Sequence, residues 1–291
     1  MKKKEIFSGV GTALVTPFED GRVDYSALGR LIELQIAAGV EAIVIGGTTG
    51  EAATLTEEER RELYARAAEL IRGRARLILG TGTNDTRAAV ERTKFAATLG
   101  CDGALVVTPY YNKGTEEGVY RHYVEIADCS ELPIILYNVP SRTGVNLGLT
   151  LLSRLAEHPN VVGLKEAGDS TDRLVQLSCL GDALPLYAGN DSQIFPALSL
   201  GGRGVISVVS NLCPERVKRI TDGYFSGDYE GSLNEQRSLL PLIRALFLET
   251  NPAPVKWAMG TLGLCSAEVR LPLSLPREST RAALAEALTR M

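Results

Sequence analysis

The sequence is poor in the residues that build metal centres, disulfide frameworks and membrane spans. Its five cysteines, Cys101, Cys129, Cys179, Cys213 and Cys265, are odd in number and far apart. They fit neither a zinc-ligand spacing nor a disulfide framework. A reducing cytoplasm is the expected compartment, with core packing as the default role of each thiol. Histidine is scarcer still: only His122 and His158 occur. Both fall inside or near the ends of predicted helices and read as surface residues. No group of Asp, Glu, His and Cys has metal-ligand spacing, so no metal is expected. No run of about 18 apolar residues is present, which excludes a helical membrane span. Nor is a secretory pattern expected, because Ile6-Phe7-Ser8-Gly9 and Pro17 do not fit one. The formal net charge is −4. Beyond Lys2-Lys3-Lys4, which reads as a solvated tail, there is no basic block, so a nucleic-acid partner is not indicated. A dinucleotide fingerprint is also missing, since Gly80-Thr81-Gly82 lacks the third glycine at the right offset.

What the chain does have is alternation. Of its 291 residues, 45% are hydrophobic and 23% charged, enough apolar material for a sizeable core. Short apolar runs recur at Gly11 to Val15, Ala42 to Ile45, Leu77 to Leu79, Ala104 to Val107, Ile134 to Tyr137, Val161 to Lys165, Leu184 to Ala188 and Gly204 to Val208. Helical patterns separate them. Thr56 with Glu59 makes a capping box, and Pro214 suits a first helical turn. Regular alternation with short connections predicts parallel strands in βαβ units. Eight units in roughly 225 residues predict an α/β fold, the closed (β/α)8 or TIM barrel. Residues 1–227 are assigned to the barrel. Residues 228–291 show no clear strand and read as a C-terminal helical extension packed on it, with helices around 233–248, 254–262 and 278–288.

The run Val161-Val162-Gly163-Leu164-Lys165 carries the chemistry. Alternation places Val161, Gly163 and Lys165 on one face and Val162 and Leu164 on the other, toward the helices. By itself a lysine at a strand end simply reaches water. In a barrel, however, the strand C-termini gather at the functional face. Just beyond the other strands lie Thr48-Thr49, Tyr110-Tyr111, Tyr137 with Arg142, and Gly189, with Ile206 on the last strand. A free amine there can attack a ketone, form an imine and stabilise a carbanion on the next carbon, and burial favours the uncharged amine. That chemistry needs a proton shuttle, and the hydroxyls of Tyr137, Tyr111 and Thr49 can both donate and accept. The Gly47-Thr48-Thr49-Gly50 turn offers amides and hydroxyls for a carboxylate. Each feature also has an ordinary reading: a strand-to-helix turn, a packing tyrosine pair, a solvated arginine. Glu51 and Glu166 read as ordinary charges near helix N-termini, without a catalytic role.

The motifs Gly47-Thr48-Thr49-Gly50-Glu51, Tyr137-Asn138-Val139-Pro140-Ser141-Arg142-Thr143-Gly144, Gly163-Leu164-Lys165-Glu166-Ala167 and Gly201-Gly202-Arg203-Gly204-Val205-Ile206-Ser207 together resemble the dihydrodipicolinate synthase/N-acetylneuraminate lyase family of pyruvate-dependent class I aldolases and lyases. The resemblance runs from Gly9 to about Pro276. Arg142, the Thr48-Thr49 pair and Asn251-Pro252-Ala253-Pro254-Val255-Lys256 favour its synthase branch. The resemblance implies a Schiff base between Lys165 and pyruvate, with no other cofactor and no metal. It implies a proton relay of Tyr137, Thr49 and Tyr111, the last reaching across a dimer contact. Thr48 and Thr49 would hold the pyruvate carboxylate beside Gly189 and Ile206. Arg142 would hold the carboxylate of L-aspartate 4-semialdehyde. The product would be 4-hydroxy-tetrahydrodipicolinate, on the route to diaminopimelate and lysine. A homotetramer of paired dimers, or a homodimer, is the implied assembly, with small molecules as the only other partners. Two other readings stay open: an aldolase or lyase for a 2-keto-3-deoxy sugar acid or sialic acid, and a non-catalytic keto-acid-binding barrel. The sequence departs from the family in placing Gly168 one position early. Where lysine-inhibited members carry histidine and glutamate, it has Glu57, Arg60 and Ala88, although Asn84 and Tyr110 match. Weak or absent lysine inhibition is therefore expected.

Overall fold

The computed structural model describes residue 3 and residues 5–291. Eight parallel strands close into one barrel. In chain order they are β1 (Gly9–Ala13), β2 (Ala42–Ile45), β3 (Arg76–Gly80), β4 (Gly103–Val107), β5 (Ile134–Asn138), β6 (Val161–Glu166), β7 (Leu186–Ala188) and β8 (Gly204–Ser207). Each strand neighbours the next, and β1 closes the ring by pairing with both β2 and β8. The helices that follow them are α1 (Tyr25–Ala37), α2 (Glu57–Ile71), α3 (Thr86–Thr98), α4 (Glu116–Asp128), α5 (Leu149–Ala156), α6 (Thr171–Ser178), α7 (Ile194–Ser199) and α8 (Pro214–Ser226). Local chemistry sets their starts. Asp24 accepts from the Ala27 amide, Thr56 and Glu59 form the expected capping box, and Pro214 opens α8. A small hairpin, Phe18–Glu19 with Arg22–Val23, interrupts the first βα connection.

Strand alternation divides the apolar side chains into two cores. Ala42, Val44, Ile78, Leu105, Ile135, Tyr137, Tyr187 and Ile206 fill the barrel interior. Ile43, Ile45, Leu79, Val106, Leu136, Leu164 and Val205 pack outward under the helices. Each fully buried aliphatic side chain contributes about 1.5–3 kcal/mol relative to exposure. A one-residue slip would exchange the two faces, so the register is strongly specified.

Strand β6 departs from strict alternation. Ile134 pairs with Val161, but Ile135 pairs with Gly163, leaving Val162 as an extra residue. Val161 accordingly packs in the outer core with Leu164 and does not share a face with Gly163 and Lys165. Beyond this irregularity the alternation resumes. Lys165 stands opposite Tyr137 of β5 and Tyr187 of β7. Gly163 makes room for the Tyr187 ring, which would lie 3.1 Å from a Cβ there. The Tyr187 hydroxyl donates to the Phe7 carbonyl at 2.7 Å, and the Phe7 ring stacks on Tyr187 at 4.5 Å.

Three further helices follow: α9 (Tyr229–Leu246), α10 (Ala253–Thr261) and α11 (Glu278–Leu288). α9 packs on α8, and α11 packs on α9 and α10. Two surface expectations fail. His122 is buried, because it falls on the inward stripe of α4 with Val119, Tyr123 and Ile126. Its Nδ1 lies 2.9 Å from Thr86 Oγ1, and burial lowers its pKa to about 4. His158 is half-buried, with Nε2 2.9 Å from Asp128 Oδ1. In the basic tail, Lys3 is docked, its Nζ donating to the His158 carbonyl at 2.6 Å. Lys2 and Lys4 lie outside the described residues. No helix of the described residues is long and apolar enough to cross a membrane.

Candidate active site

Lys165 lies near the C-terminal end of β6 and is only 5% exposed. Its Nζ sits 4.3 Å from the centre of the Tyr137 ring. It lines a cavity of about 810 Å³ together with Thr48, Thr49, Tyr137, Arg142, Gly189 and Asp191. Residues from the ends of four strands, remote in sequence, thus line one cavity around a single amine.

Thr48 and Thr49 belong to the turn after β2. Neither of their amides donates to another group among the described residues, which leaves both available to an anion. Thr49 is buried, and its Oγ1 accepts from Asn251 Nδ2 at 2.9 Å. Arg142 sits in a single helical turn (Pro140–Thr143) after β5 and donates to the Asn251 carbonyl at 2.8 Å. Gly189 approaches β6 so closely that a Cβ would fall 2.6 Å from the Glu166 carbonyl oxygen and 2.7 Å from the Ala167 Cβ, so only glycine fits. Ile206 is fully buried in the interior core beneath the cavity and does not line it.

Tyr111 is the one expected relay member that this single chain does not bring to Lys165. It is 89% exposed, holds a left-handed backbone conformation at φ 69°, and lines no part of the cavity. A second cavity of about 400 Å³ shares Thr48, Tyr137, Val139, Arg142 and Asn251 with the first and extends to Arg60, Thr83, Arg92 and Tyr110.

The two glutamates read as ordinary helix-terminal charges are both buried; Glu51 does precede a single short helical turn, Ala52–Thr54, whereas Glu166 closes β6. Glu51 has a left-handed backbone at φ 52°, and Lys256 Nζ lies 2.7 Å from its carboxylate. Its second oxygen accepts from the Arg270 amide at 2.9 Å. Glu166 points away from Lys165, as strand alternation requires. It accepts from Asn138 Nδ2 at 2.9 Å and from the early glycine, Gly168, at 2.8 Å.

Among the lining residues to which the sequence reading gave no role are Asp191 and Asn251. Asp191 is buried, with Oδ2 accepting from the amides of Val208 and Val209 at 3.0 and 2.9 Å. Burial raises its pKa, while the nearby Lys165 charge acts in the opposite sense. Nothing in the sequence distinguishes it from any other aspartate in a turn after a strand. Asn251 lies outside every βα unit, and only its motif with Pro252 set it apart. Among the described residues, no group of three or more His, Cys, Asp or Glu side chains is arranged to hold a metal.

Fold and cavity together are those of a (β/α)8-barrel enzyme with its small-molecule site at the C-terminal face of the strands. The sequence model of the Dihydrodipicolinate synthetase family matches residues 6–291. The 4-hydroxy-tetrahydrodipicolinate synthase of Clostridium novyi is 45% identical over 284 residues, covering 97% of this chain and 96% of that protein. The crystal structure of dihydrodipicolinate synthase from Thermotoga maritima superposes with a TM-score of 0.95 at 44% identity, covering 98% of each chain. A dihydrodipicolinate synthase variant described as the first monomeric one superposes with a TM-score of 0.96 at 44% identity, covering 98% of this chain and 97% of that one. The chain belongs to the dihydrodipicolinate synthetase family.

Proposed function

We propose that this chain is a lyase that condenses pyruvate with L-aspartate 4-semialdehyde to give 4-hydroxy-tetrahydrodipicolinate, the committed step toward diaminopimelate and lysine. Its own lysine supplies the chemistry without an added cofactor. The Lys165 amine attacks the pyruvate ketone, and the ketone oxygen leaves as water to form the iminium. Loss of a methyl proton gives the enamine, whose carbon attacks the aldehyde. The amino group of the second substrate then displaces Lys165 from the former ketone carbon and closes the ring. One water is released overall. Thr48 and Thr49 hold the pyruvate carboxylate, with Gly189 shaping the wall and Ile206 packed in the core beneath it. Tyr137, Thr49 and a neighbouring subunit's Tyr111 move protons. Arg142 holds the carboxylate of the aldehyde.

One observation carries this reading. Lys165 is buried against an aromatic ring in a cavity that also presents two threonines and an arginine. The other buried lysine at this end, Lys256, is neutralised by Glu51 and serves structure. Residues 1–227 form the barrel on this view, and residues 228–291 complete its mouth. The assembly is a homodimer or a tetramer of dimers, which sedimentation would measure.

Reduction with borohydride in the presence of pyruvate tests the proposal. The expected product is a single adduct that peptide mapping places on Lys165. Absence of that adduct sinks every imine-forming reading and leaves a keto-acid-binding barrel. Coupled assays with aspartate semialdehyde and with sugar aldehydes separate the synthase from a sugar-acid aldolase. Arg142, suited to a small acidic aldehyde, favours the synthase, and turnover of sugar aldehydes alone would overturn it.

A further inference from the structure

Asn251 lies between α9 and α10, far from Lys165 in sequence, yet it touches both halves of the site. Its side-chain amide donates to Thr49 Oγ1 at 2.9 Å, and its carbonyl accepts from Arg142 at 2.8 Å. Asn251 is 5% exposed, and among the described residues its Oδ1 meets no donor. Leaving a buried acceptor unpaired is costly, so an arrangement that does so places the value on the N–H side.

We propose that Asn251 is a positioning residue that sets the direction of proton transfer through Thr49. A hydroxyl has one proton and two acceptor sites. With no neighbour it rotates and donates in either sense. The Asn251 amide occupies one acceptor site and offers nothing to accept, so the threonine proton is directed away from Asn251 and into the cavity that Tyr137 also lines. Through its backbone, the same residue anchors the arginine assigned to the second substrate. The threonine and the arginine are therefore held by one unit. This inference rests on the Lys165 imine reading with Thr49 and Tyr137 in the relay.

The test uses the full-length protein and the variants N251D and N251A. Aspartic acid has the shape of asparagine. When protonated it can donate to Thr49. When ionised it can only accept, and so it pulls the threonine proton the wrong way. Burial raises the pKa of an introduced carboxyl, bringing the switch toward neutrality. Relative to wild type at each pH, the kcat of N251D is expected to be reduced about tenfold or more in alkaline buffer and to recover as pH falls. N251A stays low throughout. Both variants still give the borohydride adduct at Lys165 on prolonged incubation with pyruvate, because end-point labelling needs only the amine. Failure of labelling in the wild type would instead defeat the imine reading itself.

A double-mutant cycle with T49V guards against a misfolded N251D. If Asn251 acts through Thr49, T49V/N251A is no slower than T49V alone, whereas a general structural role gives additive losses. An N251D profile parallel to wild type, wild-type kcat in N251A, or additive losses in the cycle would each overturn the proposal.

Discussion

Lys256 Nζ lies 2.7 Å from Glu51 Oε1, with both side chains sealed from solvent. The ammonium also donates to the Thr16 carbonyl at 2.9 Å and sits 4.2 Å from the centre of the Phe18 ring. Burial lowers the Lys256 pKa, and Glu51 opposes that shift. The pair joins α10 to the turn that carries Thr48 and Thr49. Removing one partner leaves the other charged and unpaired in the interior, at a cost of about 3–5 kcal/mol. K256M is expected to lose stability on this scale in urea unfolding. The double variant K256M/E51Q, with no stranded charge, should recover a large part of it.

His122 makes stability depend on pH. Its pKa is about 4 in the folded chain, whereas the unfolded side chain titrates at the ordinary value of 6.5. The unfolded state binds more protons between these values, so this contribution is present above pH 6.5 and is lost as pH falls toward 4. At about 1.4 kcal/mol per pKa unit, the loss amounts to a few kcal/mol. Urea unfolding of wild type and H122Q at pH 7 and pH 4.5 should show the smaller acid loss in the variant.

Arg142 should govern the second substrate and leave the first alone. R142A is expected to raise the KM for aspartate semialdehyde by about tenfold or more, while the KM for pyruvate stays within about twofold. R142K should not restore it, because an ammonium cannot reproduce the planar two-point contact of a guanidinium. Steady-state kinetics with each substrate varied in turn would decide this.

Tyr111 is too exposed for its hydroxyl to support the fold of a single chain. Y111F should therefore keep the wild-type melting temperature while losing kcat by about two orders of magnitude. If the hydroxyl acts across a subunit boundary, mixing inactive Y111F and K165A chains should restore part of the activity in hybrid dimers. No recovery after subunit exchange would place the relay within one chain.

Lysine should inhibit weakly or not at all. Glu57 is engaged by Arg60 and Arg92, and Ala88, beside them, offers no acidic group to an ammonium. Initial rates measured across rising lysine concentrations check this, and strong inhibition at sub-millimolar lysine would contradict it.

The barrel was legible because its signals are local and repeated. Eight apolar runs separated by amphipathic segments leave few alternatives, and caps such as Thr56 with Glu59 mark helix starts directly. The inward face of Lys165 followed from alternation. The phase error at Val161 did not, because an extra residue in a strand leaves no mark on an already apolar run. The burial of His122 was missed because a single polar residue on a helix does not reveal which stripe it occupies. The roles of Asn251 and Lys256 depend on contacts across more than 200 residues, at separations of 202 and 205, and no local pattern encodes those.

Those separations also bear on how the molecule comes into being. The turn bearing Thr48 and Thr49 is synthesised before the groups that fasten it: the side chains of Asn251 and Lys256 and the backbone amide of Arg270 follow more than 200 residues later. All eight strands are complete by Ser207. A nascent chain can therefore close its barrel well before its amine has a finished site around it. Catalytic competence arrives with the segment from Asn251 to Arg270, after the strands that carry the site.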